Sequence, residues 1–186
     1  KSMLRKISIL LLIALLPMSL YAKSAEKDRA EIIEMRGEVL TQLYKNNPEA
    51  KTLIAEAEGY AVFNNGGVNV IFISAGSGKG VAHDNKSGKN TFMRMATGGV
   101  GLGLGIKDYR AVMVFHTRAT FDQFVDKGWD FFGQADAAAK VDDQGGEVNA
   151  AGTVVKGVTL YQMTKKGLAL QATLQGTKYW KWKKLN

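Results

Sequence analysis

Apolar residues between Ala25 and Asn46 recur at three- and four-residue spacing: Ile32, Ile33, Val39, Leu40, Leu43 and Tyr44, separated by Glu, Lys and Arg. That period predicts an amphipathic helix. A second helix is expected to follow at once. Asn47 suits an N-cap, Pro48 the first helical position and Glu49 the positive helix end, and Gly59 can close the helix after Leu53, Ile54 and Ala57. Together the two read as a helical hairpin. Beyond it, 20 of the 21 glycines lie at or after Gly59 and neither proline does, which suits strands with uninterrupted ladders.

Period-two patterning then predicts strands at Tyr60 to Phe63, Val68 to Ala75, Gly80 to His83, Asn90 to Met95, Gly99 to Ile106 and Ala111 to Phe115. "HDNKSGK" and "KDY" are expected to turn the chain between them. A short helix fits Arg118 to Lys127, capped by Thr117, with Phe121, Phe124 and Val125 on one face and Gly128 at its end. Trp129 to Val141 reads as a further strand and "DDQGGEVNAAG" as a loop. Val154 to Met163 and Leu168 to Trp182 are expected to pair across "TKKG". Helices first, then mostly antiparallel strands with one inserted helix, define an α+β fold: a glycine-rich sheet or half-barrel behind a helical hairpin.

The glycines invite a phosphate-loop reading that fails on spacing. In "GGVGLGLGI" the sixth position of a dinucleotide fingerprint falls on Leu104 or Ile106, and "GSGKG" has Ile73 and Gly80 where a nucleotide loop needs glycine and a hydroxyl. Alternation of Val100, Leu102, Leu104 and Ile106 with glycine instead reads as a strand whose bare face admits a close neighbour. Catalytic groups are sparse. His83 and His116 are the only histidines and lack metal-ligand spacing, there is no cysteine, and Ser74, Ser77 and Ser87 sit in no nucleophile elbow. Asp142 and Asp143 read as solvated turn residues. The expectation is a protein without enzymatic activity, metal or cofactor.

Residues 1–22 place Lys1, Arg5 and Lys6 before an apolar run from Ile7 to Leu16, which reads as a secretory signal peptide cut after Ala22, with an uncleaved anchor as the alternative. Setting that segment aside removes three of the 25 basic side chains and none of the 17 acidic ones, so residues 23–186 carry a net charge of +5 and form a single domain. Basic residues Lys79, Lys86, Lys89, Arg94, Lys107 and Arg110 are expected at strand ends and hairpins. The C-terminal "KYWKWKKLN" interleaves Tyr179, Trp180 and Trp182 with Lys178, Lys181, Lys183 and Lys184, a composition suited to a lipid headgroup layer. A last strand burying Trp180 and Trp182, with Lys181 and Lys183 facing water, explains the same alternation.

Taken in order, "AEGYAVF", "GSGKGV", "GGVGLGLGIKDYRAVMVF", "FDQF…GWDFFGQADAAA" and "YQMTKKGLALQATLQG" resemble the SYLF domain, a lipid-binding family, from about Ala30 to Trp180. The chain departs from the family pattern at "DDQGG", which lacks a proline, and at Gln171, which replaces a glycine. Eukaryotic members bind phosphoinositides and, in yeast, actin filaments. For an exported, periplasmic or peripherally membrane-associated chain the resemblance implies association with anionic phospholipid or another envelope component. The expected lipid-contacting residues are Lys178, Trp180, Lys181, Trp182, Lys183 and Lys184, supported by Lys86 and Lys89. The alternative is a structural or interaction module of the envelope that packs on a protein partner or a second copy of itself through the helix at Ala25 to Asn46. Nucleic acid is not an expected partner, because export removes it and +5 is a mild bias.

Overall fold

Gly76 and Gly78, which fall between two expected strands, lie inside one. The computed structural model describes residues 2–70, 73–100, 109–131, 153–155, 157–164, 167–168 and 176–186. Helices α1 (Ser2–Asn46) and α2 (Glu49–Glu56) precede strands β1 (Gly59–Val70), β2 (Ile73–Asp84), β3 (Asn90–Val100) and β4 (Tyr109–Phe115). Helix α3 (Arg118–Lys127) leads to β5 (Trp129–Asp130), β6 (Thr153–Val155), β7 (Val158–Thr164), β8 (Gly167–Leu168) and β9 (Thr177–Lys181), and a 3-10 turn spans Lys183–Leu185. The described strands form one antiparallel sheet in the order β5-β9-β3-β2-β1-β4-β7-β6, with β8 on β7. The α+β architecture expected from the sequence is the one observed.

Several boundaries differ from expectation. β1 and β2 are 12-residue strands. They absorb the expected Tyr60–Phe63 and Gly80–His83 segments, and the expected strand at Val68–Ala75 straddles the reversal between them. β1 follows directly on α2, whose C-cap is Ala57, so Gly59 opens a strand instead of closing a helix. Tyr109 begins β4, and Gly157 (φ +76°) separates β6 from β7. β8 does pair with β7 across residues 165–166, but β9 crosses to the far side of the sheet and pairs with β3 and β5. The expectations for residues 101–108, 132–150 and 169–175 lie outside the described residues.

The sheet is strongly curled. Tyr109 on β4 and Tyr179 on β9 are four strand steps apart, about 19 Å on a flat sheet, yet both pack into one core cluster. Phe63 and Tyr179 bring their ring centroids to 4.9 Å. Curl of this degree needs side-chain-free backbone on the inner face. β2 supplies it: Gly80 pairs between Phe63 and Met93, and Gly78 pairs opposite Met95. A Cβ at Gly80 would overlap the Phe63 ring, and one at Gly78 the Met95 side chain. The concave core thus holds Phe63, Met93, Met95, Met113, Phe115, Leu160 and Tyr179, closed at one end by Phe121 and Phe124 of α3. Thr117 caps α3 by accepting from the Thr120 N–H, and Gly128 (φ +70°) ends it by donating to the Phe124 carbonyl.

On the convex face α1 lies across the strands. Val39 and Leu43 pack with Val62, Val112, Val114, Tyr161 and Met163, while Ala25 and Ile32 pack with Val81, Phe92 and Leu185. Ile32 and Leu43 are buried, and Ile33 and Leu40 are half-buried against the same clusters. The apolar stripe of α1 is therefore core. Among the described residues no helix is long and apolar enough to cross a membrane.

Candidate functional site

The C-terminal residues are built into the sheet. β9 runs antiparallel to β3 from Thr177↔Thr97 to Lys181↔Met93, and the Trp182 N–H continues the ladder by donating to the Phe92 carbonyl at 2.9 Å. The Asn186 side chain completes this edge. Its Oδ1 accepts from the Phe92 N–H at 2.9 Å, and its Nδ2 donates to the carbonyls of Phe92 and Trp182, each at 2.8 Å. Leu185 is buried beside Ala25 and Ile32, and Arg29 of α1 donates to its carbonyl at 2.9 Å.

Alternation along β9 turns Tyr179 inward, where burial pushes its phenol upward despite hydrogen bonds from Thr177 and Tyr109. Trp180 and Trp182 fall on the convex side and are half-buried, so the expected deep burial of both indoles is not observed. Trp182 packs against the Ala25–Ile32 cluster, with the Arg94 guanidinium 5.0 Å and the Lys79 ammonium 5.9 Å from its ring centroid. The neighbouring lysines meet carboxylates from distant parts of the chain. Lys178 lies 2.6 Å from Asp130, Lys181 3.5 Å from Asp126, and Lys184 3.4 Å from Asp28. Lys183 is exposed.

Lys86 and Lys89 sit on the β2–β3 hairpin. Its geometry comes from Asp84, whose carboxylate accepts from the N–H groups of Lys86 and Ser87, and from Gly88 at φ +71°. Lys86 lies 3.0 Å from Glu58, and Lys89 is exposed. Arg118 anchors the hairpin to the rest of the molecule by donating to Glu58 at 2.9 Å and to Asp84 at 3.0 Å. Asn85 adds bonds to the carbonyls of Ile54 and Ala57. Arg118 holds the Asp84 carboxyl far below the usual carboxylate range, against a smaller opposing effect of burial. Glu58 is lowered by its hydrogen bond to Lys86 and then by Arg118.

Phe92, which holds the C-terminal turn, is three residues from Lys89, about 10 Å along β3. The structure therefore brings Lys86 and Lys89 to the same end of the sheet as Trp182, Lys183 and Lys184. Lys178 lies toward the opposite end of β3, opposite Ala96. Lys79 and Arg94, expected at strand ends, are mid-strand on the convex face, and Arg110 stands near the start of β4 with its side chain bonded to Gln42. Lys107 lies outside the described residues.

This arrangement defines a class before any comparison: a curled antiparallel half-barrel, helix-backed, with a buried aromatic interior and a basic, tryptophan-bearing edge. No protein-family model matches the chain. It is similar to Beta cell expansion factor A of Aeromonas veronii, with 36% identity over 160 residues. The match covers 85% of this chain and 59% of that protein, so the chain spans less than two thirds of its relative's length.

Proposed function

We propose that this chain is a SYLF-domain protein that binds anionic phospholipid at a membrane surface without catalysing a reaction. The observation that carries this reading is that the β2–β3 hairpin and the C-terminal turn lie toward the same end of β3, so that Lys86, Lys89, Lys183 and Lys184 share the end of the sheet that carries Trp182. The ordered SYLF-like motifs support it from the sequence side. Each basic residue near an anionic surface contributes about 1 kcal/mol, so several must act together. The carboxylate partners of Lys86 and Lys184 do not forbid this, because surface ion pairs contribute about 0 to 1 kcal/mol and exchange readily for another anion. The alternative, partner docking through the apolar stripe of α1, needs a surface that the sheet already covers.

Co-sedimentation with phosphatidylcholine and phosphatidylglycerol vesicles tests the proposal. The chain is expected to pellet with the anionic vesicles alone and to be released by salt. Replacing Lys86, Lys89, Lys183 and Lys184 together by Gln should weaken binding several-fold. Failure to pellet, or undiminished binding by that variant, overturns it.

A further inference from the structure

Two carboxylates are each shared between a lysine of the proposed membrane edge and a second cation held elsewhere. Asp28 on α1 lies 3.4 Å from Lys184 and 3.4 Å from Lys79. Glu58, just ahead of β1, lies 3.0 Å from Lys86 and 2.9 Å from Arg118. The two acidic side chains are only 21% and 24% exposed, so leaving either without a cation would cost stability. Burial raises the Asp28 carboxyl, and Lys184 and Lys79 together bring it below its ordinary value, so both cations act on it.

The second cations are fixed by further contacts. Lys79 stands mid-strand opposite Arg94, reaches Glu31 at 3.7 Å and lies over the Trp182 ring, and Arg118 also holds Asp84 at 3.0 Å. The lysines sit on turns instead: Lys86 on the β2–β3 hairpin, with its side chain 70% exposed, and Lys184 in the 3-10 turn. Either ammonium can therefore swing to an outside anion while its carboxylate keeps a partner. The ion pair that is given up and the attraction to an anionic surface are of similar size. Exchange is thus near balance on a weakly charged bilayer and favourable on a strongly charged one. We propose that Asp28 and Glu58 are built-in counter-ions that compete with lipid phosphate for Lys184 and Lys86, and so set the density of anionic lipid at which the chain binds. The inference rests on the membrane reading and adds to it a selectivity for strongly anionic surfaces.

The test is co-sedimentation of the full chain with phosphatidylcholine vesicles carrying increasing fractions of phosphatidylglycerol. D28N and E58Q should each strengthen binding about threefold at an intermediate fraction, the ratio that one such ion pair supplies, and the double variant about tenfold. E38Q, which removes the same charge from an exposed residue of α1, should change it less than about twofold. E58Q should bring no gain where Lys86 is already Gln, and D28N little where Lys184 is. The unmodified chain gives a second readout that no misfolded variant can blunt: the Asp28 and Glu58 carboxyl carbon resonances should move when phosphatidylglycerol nanodiscs are added, and that of Glu38 should not. Gains no larger than that of E38Q, gains that persist without the lysines, or static carboxyl resonances in a chain that does bind each overturn the counter-ions and leave the membrane reading standing. A parent chain that pellets at no phosphatidylglycerol fraction overturns both.

Discussion

The two faces of the sheet solve opposite packing problems with the same strands. On the concave face Phe63, Met93 and Tyr179 converge, and β2 contributes glycines so that these side chains fit. On the convex face one helix buries Val62, Val81 and Val112 and meets the neighbouring row through polar groups, Asp28 and Glu31 on Lys79 and Gln42 on Arg110. Residues 79 and 80 make the contrast at closest range: a lysine on the outer face adjoins a glycine on which an aromatic ring rests. Curling a sheet shrinks one face and enlarges the other. The inner face then selects for absence of side chains, while the outer face exceeds what one helix can bury and is left to charged groups.

The largest effect is expected from emptying the inner face. Phe124 is fully buried and meets the rings of Phe63, Phe115, Trp129 and Tyr179, so Phe124→Ala should cost about 4 kcal/mol in urea denaturation. Overfilling the same face costs less. Gly80→Ala, forcing a methyl into the Phe63 ring, should cost about 2 kcal/mol, whereas Lys79→Gln, one residue away on the other face, should stay within about 0.5 kcal/mol. Equal losses from the last two would erase the contrast.

The smallest effect concerns the rim where the faces meet, at Glu58, Asp84 and Arg118. Both carboxyls titrate lower in the folded chain than in the unfolded one. The stability they contribute is therefore complete above the unfolded values, near pH 4, and is lost as pH falls through the folded values. Melting temperature should hold from neutral pH down to about 5 and fall below about 4. Arg118→Met should make that acid decline shallower, and an unaltered decline would show that other groups govern it.

Features decided by neighbours in sequence were legible. α3 could be read from Thr117 to Gly128 because its cap, its apolar face and its stop lie within 12 residues, and each acts where expected. Asn47 likewise receives the Ala50 N–H at the start of α2. The strand boundaries were not legible in "GSGKG", because whether glycine breaks a strand or lines it depends on Phe63, Met95 and Thr97 across the sheet. Proximity in sequence points β9 to the nearest hairpin, whereas its partners on β3 lie 80 to 88 residues earlier. At the candidate site the lysine and tryptophan cluster was visible in the sequence. Its carboxylate partners were not, since Asp28, Asp126 and Asp130 arrive from other elements. The Lys79–Arg94 row requires the β2–β3 register, which composition does not encode.

The bond from Arg29 to the Leu185 carbonyl and the pair between Asp28 and Lys184 each join positions 156 apart in the chain. A nascent polypeptide emerges from its N-terminus, so the Ala25–Ile32 stretch of α1 leaves the ribosome long before Leu185 exists to cover it. The first helix must wait for the last turn. Folding of this corner consequently waits for residue 185 to emerge, and chains truncated ahead of residue 185 would expose the apolar surface that Leu185 otherwise seals.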